Sequence, residues 1–138
     1  MPRKAIDVPG ATAVGPYSHA VEHEGLYFFS GQTPLDPATG QLVEGGIAAQ
    51  VERCLQNLLA VAEAAGVEEA DIQKVNVFLT DMAQFAEMNA AYERFFTPPY
   101  PARTTLAVVG LPRGAQVEIE MVAARTRMAR LRSRVGAG

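Results

Sequence analysis

An arginine and two glutamates stand where strands favour uncharged residues. Arg103 opens the run Arg-Thr-Thr-Leu-Ala-Val-Val, and further on Glu118 and Glu120 alternate with Val117, Ile119 and Met121. Strand chemistry accounts for the apolar half of this pattern but not for the charges. A guanidinium fork can hold a planar carboxylate through two parallel hydrogen bonds, which lysine cannot match. A glutamate kept ionised by a nearby positive charge can accept a hydrogen bond from water and relay its proton. Together they define a pocket for a small anionic substrate undergoing hydrolysis or proton transfer. The blander reading of the same spacing is an ion pair between Arg103 and Glu118 or Glu120, which adds little stability.

Other chemistries find less support. His19 and His23 lie four apart on a predicted strand, on one face but well separated, and no Cys-x-x-Cys, His-x-His or His-Glu-x-x-His spacing is present. The sequence therefore predicts no metal site. Ser30 lacks the Gly-x-Ser-x-Gly elbow of a serine nucleophile. Cys54 falls on the apolar side of a predicted helix, where a thiol is usually inert core. Neither a Gly-x-x-x-x-Gly-Lys loop nor a Gly-x-Gly-x-x-Gly loop occurs.

The elements that must position these residues are short. Residues 4–8 read as an edge strand, 17–24 as a second, and 26–30 as an aromatic third, with Glu24-Gly25 as the turn between the last two. Residues 34–40 are dense in turn formers and predict an exposed loop. From 46 to 65 the period changes: Ile47, Val51, Leu55, Leu58, Leu59 and Ala62 mark an amphipathic helix closed by Gly66. Residues 72–79 alternate as a strand. Asp81 is a candidate N-cap for a second helix through Phe85, Met88, Tyr92 and Phe95, ended by Thr-Pro-Pro-Tyr-Pro at 97–101. Two strands follow, at 103–109 and 116–124. The order β-β-β-α-β-α-β-β implies one sheet with both helices on one face. The other face keeps Val, Ile and Phe, which predicts that further subunits cover it.

A chain of 138 residues, 49% apolar and 20% charged, fits one soluble α+β domain over residues 1–124. Its lack of an apolar run of roughly 18 residues predicts no membrane span. The first residues carry no secretory pattern, and a lone cysteine suits a reducing compartment, so the expected location is the cytoplasm. A net charge of −3 gives no general pull towards nucleic acid. Arg125, Arg127, Arg130, Arg132 and Arg134 crowd residues 125–138, which read as an exposed basic tail. No aromatic residue is interleaved there for base stacking.

The residues flagged above fall within a wider likeness. Gly15-Pro16-Tyr17-Ser18, Ser30-Gly31-Gln32-Thr33-Pro34, Asp36-Pro37-Ala38-Thr39-Gly40, Asn89-Ala90-Ala91-Tyr92-Glu93-Arg94-Phe95-Phe96 and the stretch from Pro101-Ala102-Arg103 to Val117-Glu118-Ile119-Glu120 resemble, in order and spacing, the RidA/YjgF family of enamine/imine deaminases. The resemblance spans residues 5 to 124. It implies a chorismate-mutase-like fold, related to the ferredoxin-like one, and a homotrimer around a central barrel with sites between subunits. It also implies hydrolysis of 2-aminoacrylate and related 2-imino acids to 2-keto acids and ammonia, without metal or organic cofactor. Carried over by position, Arg103 would clamp the substrate carboxylate and Glu118 would hold the attacking water. Tyr17, Ser30, Gly31, Asn89 and Thr105 would line the pocket, with Tyr17 and Ser30 offering hydroxyls. Glu120 shares the strand parity of Glu118, although the motif favours Glu118. Thr105 stands where many relatives have cysteine, and His19 where glutamine is common. Two alternatives remain: a non-catalytic sensor of keto or imino acids, and an endoribonuclease or translation inhibitor supported only by the arginine-rich tail.

Overall fold

The computed structural model describes residues 2–125 apart from 10, 12 and 14. Six strands form one mixed sheet: β1 (Lys4–Ile6), β2 (Ala20–His23), β3 (Leu26–Gln32), β4 (Ile72–Leu79), β5 (Ala102–Ala107) and β6 (Val117–Ala124). Their spatial order is β1-β2-β3-β6-β4-β5; β4 and β5 run parallel, and the other neighbours antiparallel. Two helices, α1 (Ile47–Ala65) and α2 (Phe85–Phe95), complete the α+β domain.

Alternation decides which face of each strand is buried. In β6, Val117, Ile119, Met121 and Ala123 enter the core, as do Val75, Val77 and Leu79 of β4 and Tyr27 and Phe29 of β3. Against them α1 lays Ile47, Val51, Cys54, Leu55, Leu58, Val61 and Ala62, its 3.6-residue stripe. The Met88, Ala91 and Tyr92 side of α2 belongs to the same core. The helical face is thus single and continuous, as the element order predicts. The other face carries Phe28 and Leu106, both about half exposed in the single chain, beside Val122, Glu118 and Glu120.

Turn chemistry falls where the residues place it. Glu24 and Gly25 both take positive φ (49° and 83°), the two-residue hairpin geometry that matches strand twist. Gly66 sits at φ 73°, its amide bonded to Glu63 O while Val67 N–H reaches Ala62 O at 2.8 Å. This is the paired closure of a Schellman motif. Gly66→Ala should cost about 1 kcal/mol, read as a lower urea midpoint with unchanged m-value, because a Cβ disfavours the left-handed conformation.

Several boundaries differ from the sequence reading. β2 starts at Ala20, not 17, because the chain before it is loop, where Ser18 O accepts the Ser30 hydroxyl. β5 ends at Ala107, since its partner β4 ends at Leu79; Val109 then stands fully in solvent. Asp81 caps a separate short turn, Met82–Gln84, through Ala83 N–H at 2.9 Å, and α2 begins only at Phe85. Arg125, read as the first residue of an exposed tail, is buried: its Nη1 meets Asp71 Oδ2 at 2.8 Å and Glu68 Oε2 at 3.5 Å. The remaining tail arginines lie outside the described residues.

Candidate active site

Strand register divides the predicted site residues between the two faces of the sheet. Arg103 pairs with Val75, and Val75 with Met121, so Arg103 points to the helical face with those core residues. Glu118 pairs with Phe78 and, with Glu120, points to the other face. The Arg103–glutamate ion pair does not form, and one protomer cannot close a pocket on Arg103 and Glu118 together. Sequence parity could not reveal this, because it fixes the faces within a strand and not between strands.

On the helical side, Arg103 meets aromatic rings instead of acids. Its guanidinium carbon lies 4.8 Å from the Tyr92 ring centroid and 5.7 Å from that of Phe85. Tyr92 packs in turn against Phe96, ring centroids 4.7 Å apart. A cleft of about 440 Å³ opens here, lined by Asn89, Tyr92, Glu93, Tyr100, Pro101 and Arg103. Thr105 follows Arg103 on the same face of β5, paired with Val77. The buried oxygens Asn89 Oδ1, Thr105 Oγ1 and Tyr92 Oη have no hydrogen-bond partner among the described residues. Buried polar atoms left unpaired are uncommon and costly, which makes the cleft where Asn89 Oδ1 meets Arg103 a place for a polar ligand. Burial pushes the Tyr92 phenol up to about 12 against the opposing pull of Arg103, so its hydroxyl stays protonated.

On the opposite face, the Glu118 carboxyl rests on the backbone of Gly31. A Cβ at Gly31 would come within 3.1 Å of Glu118 Cδ and 3.2 Å of Cγ, so any larger residue here would press on the Glu118 side chain. Partial burial, and secondarily the Glu120 carboxylate, push the Glu118 carboxyl above the usual glutamate range. Gly31 contact separates Glu118 from Glu120, which sequence parity alone leaves interchangeable. Ser30 Oγ donates to Ser18 O at 2.7 Å, so its proton is engaged and its oxygen can only accept. Tyr17 is about half exposed, its ring against Gly15.

His19 does not turn towards this surface. Its Nδ1 accepts the Val8 amide at 3.1 Å, and its own amide donates to Asp7 Oδ1 at 3.1 Å. With Nδ1 acting as acceptor, the 3.4 Å approach of Asp7 Oδ1 is no ion pair in that tautomer. The residue ties the N-terminal segment to β2. Among the described residues no cluster of histidine, cysteine or acidic side chains could hold a metal ion, and no helix is long and apolar enough to cross a membrane.

Residues 9–125 match the family model described as Endoribonuclease L-PSP, which covers the RidA/YjgF proteins. The chain belongs to the RidA/YjgF family. Within it, the chain is 48% identical over 125 residues to the RutC family protein y4sK of Sinorhizobium fredii, spanning 91% of this chain and 98% of that one. It is 42% identical over 122 residues to the mouse protein named 2-iminobutanoate/2-iminopropanoate deaminase, spanning 88% and 90%. The crystal structure of RidA from an Antarctic Psychrobacter species is similar at a TM-score of 0.84 and 41% identity, covering 89% of this chain and all of that one. The single mixed sheet with two helices is thus a RidA-family fold.

Sequence reasoning on this RidA-family chain did not single out Tyr92, Glu93, Tyr100 or Pro101 as lining residues. Tyr92 was absorbed into the apolar stripe of α2. Phe85, Asn89 and Tyr92 recur at the spacing of one helix face, and that was the available signal.

Proposed function

We propose that this protein hydrolyses reactive 2-enamine and 2-imine acids, such as 2-aminoacrylate and 2-iminopropanoate, to 2-keto acids and ammonia. The observation that carries this reading is an arginine with no acidic partner among the described residues, in one cleft with the unpaired Asn89 Oδ1 and on the same face of β5 as the unpaired Thr105 Oγ1. A carboxylate bearing a hydrogen-bonding neighbour is the ligand such a group fits. Similarity to a protein named as an imine deaminase supports the same chemistry.

The site forms between protomers of a homotrimer, in which the apolar face around Phe28 and Leu106 is covered and the Glu118 face of one copy meets the Arg103 cleft of the next. Arg103 clamps the carboxylate, with Asn89 and Thr105 beside it. Glu118 takes a proton from water as the water oxygen bonds to the imine carbon. Glu118 passes that proton to nitrogen to give a neutral carbinolamine, the hydroxyl proton then moves to the same nitrogen as the C–N bond breaks, and ammonia leaves a carbonyl behind. Tyr17 borders the pocket, Ser30 accepts a hydrogen bond, and Gly31 lets Glu118 lie flat. An imine carbon is already electrophilic, so holding water and substrate together removes much of the barrier. A buried, free Cys54 suits a reducing compartment, and the cytoplasm is where we place the activity.

A serine or threonine dehydratase coupled to the purified protein tests this reading through faster decay of the imine signal. No acceleration over buffer, with 2-keto acids still bound, would leave a sensor instead of an enzyme. Acidity supplies a further expectation. Glu118 must be ionised to take a proton, so kcat/KM should fall as pH drops through its raised pKa, above the limb of a free glutamate. Glu120→Gln removes the second cause of that elevation and should move the limb to lower pH. An unmoved limb would show that Glu120 does not act on Glu118.

A further inference from the structure

We propose that Tyr92 is a positioning residue, an aromatic platform that fixes the Arg103 guanidinium while leaving its N–H groups free for the substrate. The proposal rests on the carboxylate-clamp reading of Arg103 and adds how the clamp is kept ready. An arginine in a cleft is commonly held by an acid, which spends its donors on that partner. Arg103 is held otherwise. Glu93 lines the same cleft, yet Arg103 makes no ion pair with it or with any other described residue. Its guanidinium carbon lies over Tyr92 at 4.8 Å, and over Phe85 at 5.7 Å.

A ring face attracts the cation through its quadrupole and takes up no N–H donor. The donors lie in the guanidinium plane and remain available for a carboxylate fork. Tyr92 is itself immobilised: it is buried, belongs to α2, and packs against Phe96 at 4.7 Å. The platform is therefore rigid before substrate arrives, and binding has no ion pair to break. Pre-organisation of this kind shows as affinity, because the arginine's rotamer freedom has been given up in advance. It acts equally on the bound substrate and the transition state, so it belongs in KM.

The test compares Tyr92→Phe, Tyr92→Leu and Phe85→Leu in the full chain. The readouts are the imine-decay assay and 2-oxobutanoate affinity by calorimetry. Tyr92→Phe keeps the ring and should stay within about twofold of wild type in both. Tyr92→Leu should raise KM and the 2-oxobutanoate Kd by about fivefold to tenfold, with kcat changed less than about twofold. Phe85→Leu removes the more distant and partly exposed ring; it should raise both by about twofold and keeps the test open should Tyr92→Leu fail to fold. Unchanged affinity in folded Tyr92→Leu, or in Phe85→Leu where the former does not fold, would overturn the platform. A Tyr92→Phe loss as large as that of leucine would overturn it too, since the hydroxyl and not the ring would then matter. A wild type that neither binds 2-oxobutanoate nor speeds imine decay would overturn the clamp reading and the platform with it.

Discussion

Arg103→Ala should lower kcat/KM for 2-imino acids by on the order of 10³-fold, about 4 kcal/mol. The magnitude follows from what alanine leaves behind. The substrate carboxylate would enter a cleft whose other polar lining offers no fixed positive charge, and would meet Glu93 there. Arg103→Lys should recover little, because an ammonium cannot present two parallel donors to the carboxylate. Steady-state kinetics of the coupled reaction measure both variants, with circular dichroism verifying the fold. A loss below about tenfold for alanine would remove Arg103 from the role of clamp.

The opposite-face geometry leads to a second large effect. Glu118→Gln alone should lose on the order of 10²- to 10³-fold in kcat while keeping 2-keto acid affinity, since it removes the proton acceptor and leaves the clamp. Mixed with Arg103→Ala in one assembly, it should recover activity that neither variant has alone. Under the proposed function each site takes Arg103 from one copy and Glu118 from the next, since β5 and β6 present them to opposite faces of one sheet. In each mixed trimer of the proposed assembly, about one third of the interfaces would hold both native residues. Co-expression with two distinguishable tags, purification through both, and assay of the mixed species would read this directly. Mixed assemblies that remain as inactive as their parents would rule out a site shared between copies.

Much of the fold was legible because local signals agreed. The stripe of α1, the alternation of β6, Glu24-Gly25 as a hairpin turn and Gly66 as a helix stop each have a local cause that tertiary contacts do not override. The site was legible as a set of residues but not as a geometry. Nothing in the sequence states that β5 lies parallel to β4 with Arg103 beside Val75, and that register is what separates Arg103 from Glu118. The choice between Glu118 and Glu120 likewise needed the Gly31 backbone, brought in by β3 from far along the chain. The role open to the Ser30 hydroxyl also depends on Ser18 O, 12 residues away in the chain. Arg125 looked solvated because its partners, Glu68 and Asp71, precede it by a whole helix and three strands. Long-range pairing is where reading residue by residue stops.

Cys54 gives the molecule a use that its chemistry does not require. Its thiol is fully buried in α1, points at the Val117 carbonyl 3.8 Å away, and is pushed by burial well above the ordinary thiol range. A thiolate is the form that reacts, so the native state conceals its one sulfhydryl both sterically and electrostatically. Disulfide reagents therefore report only molecules in which α1 has lifted from β6. The rate of labelling is a clock for that opening, written into the wild-type chain without any added probe.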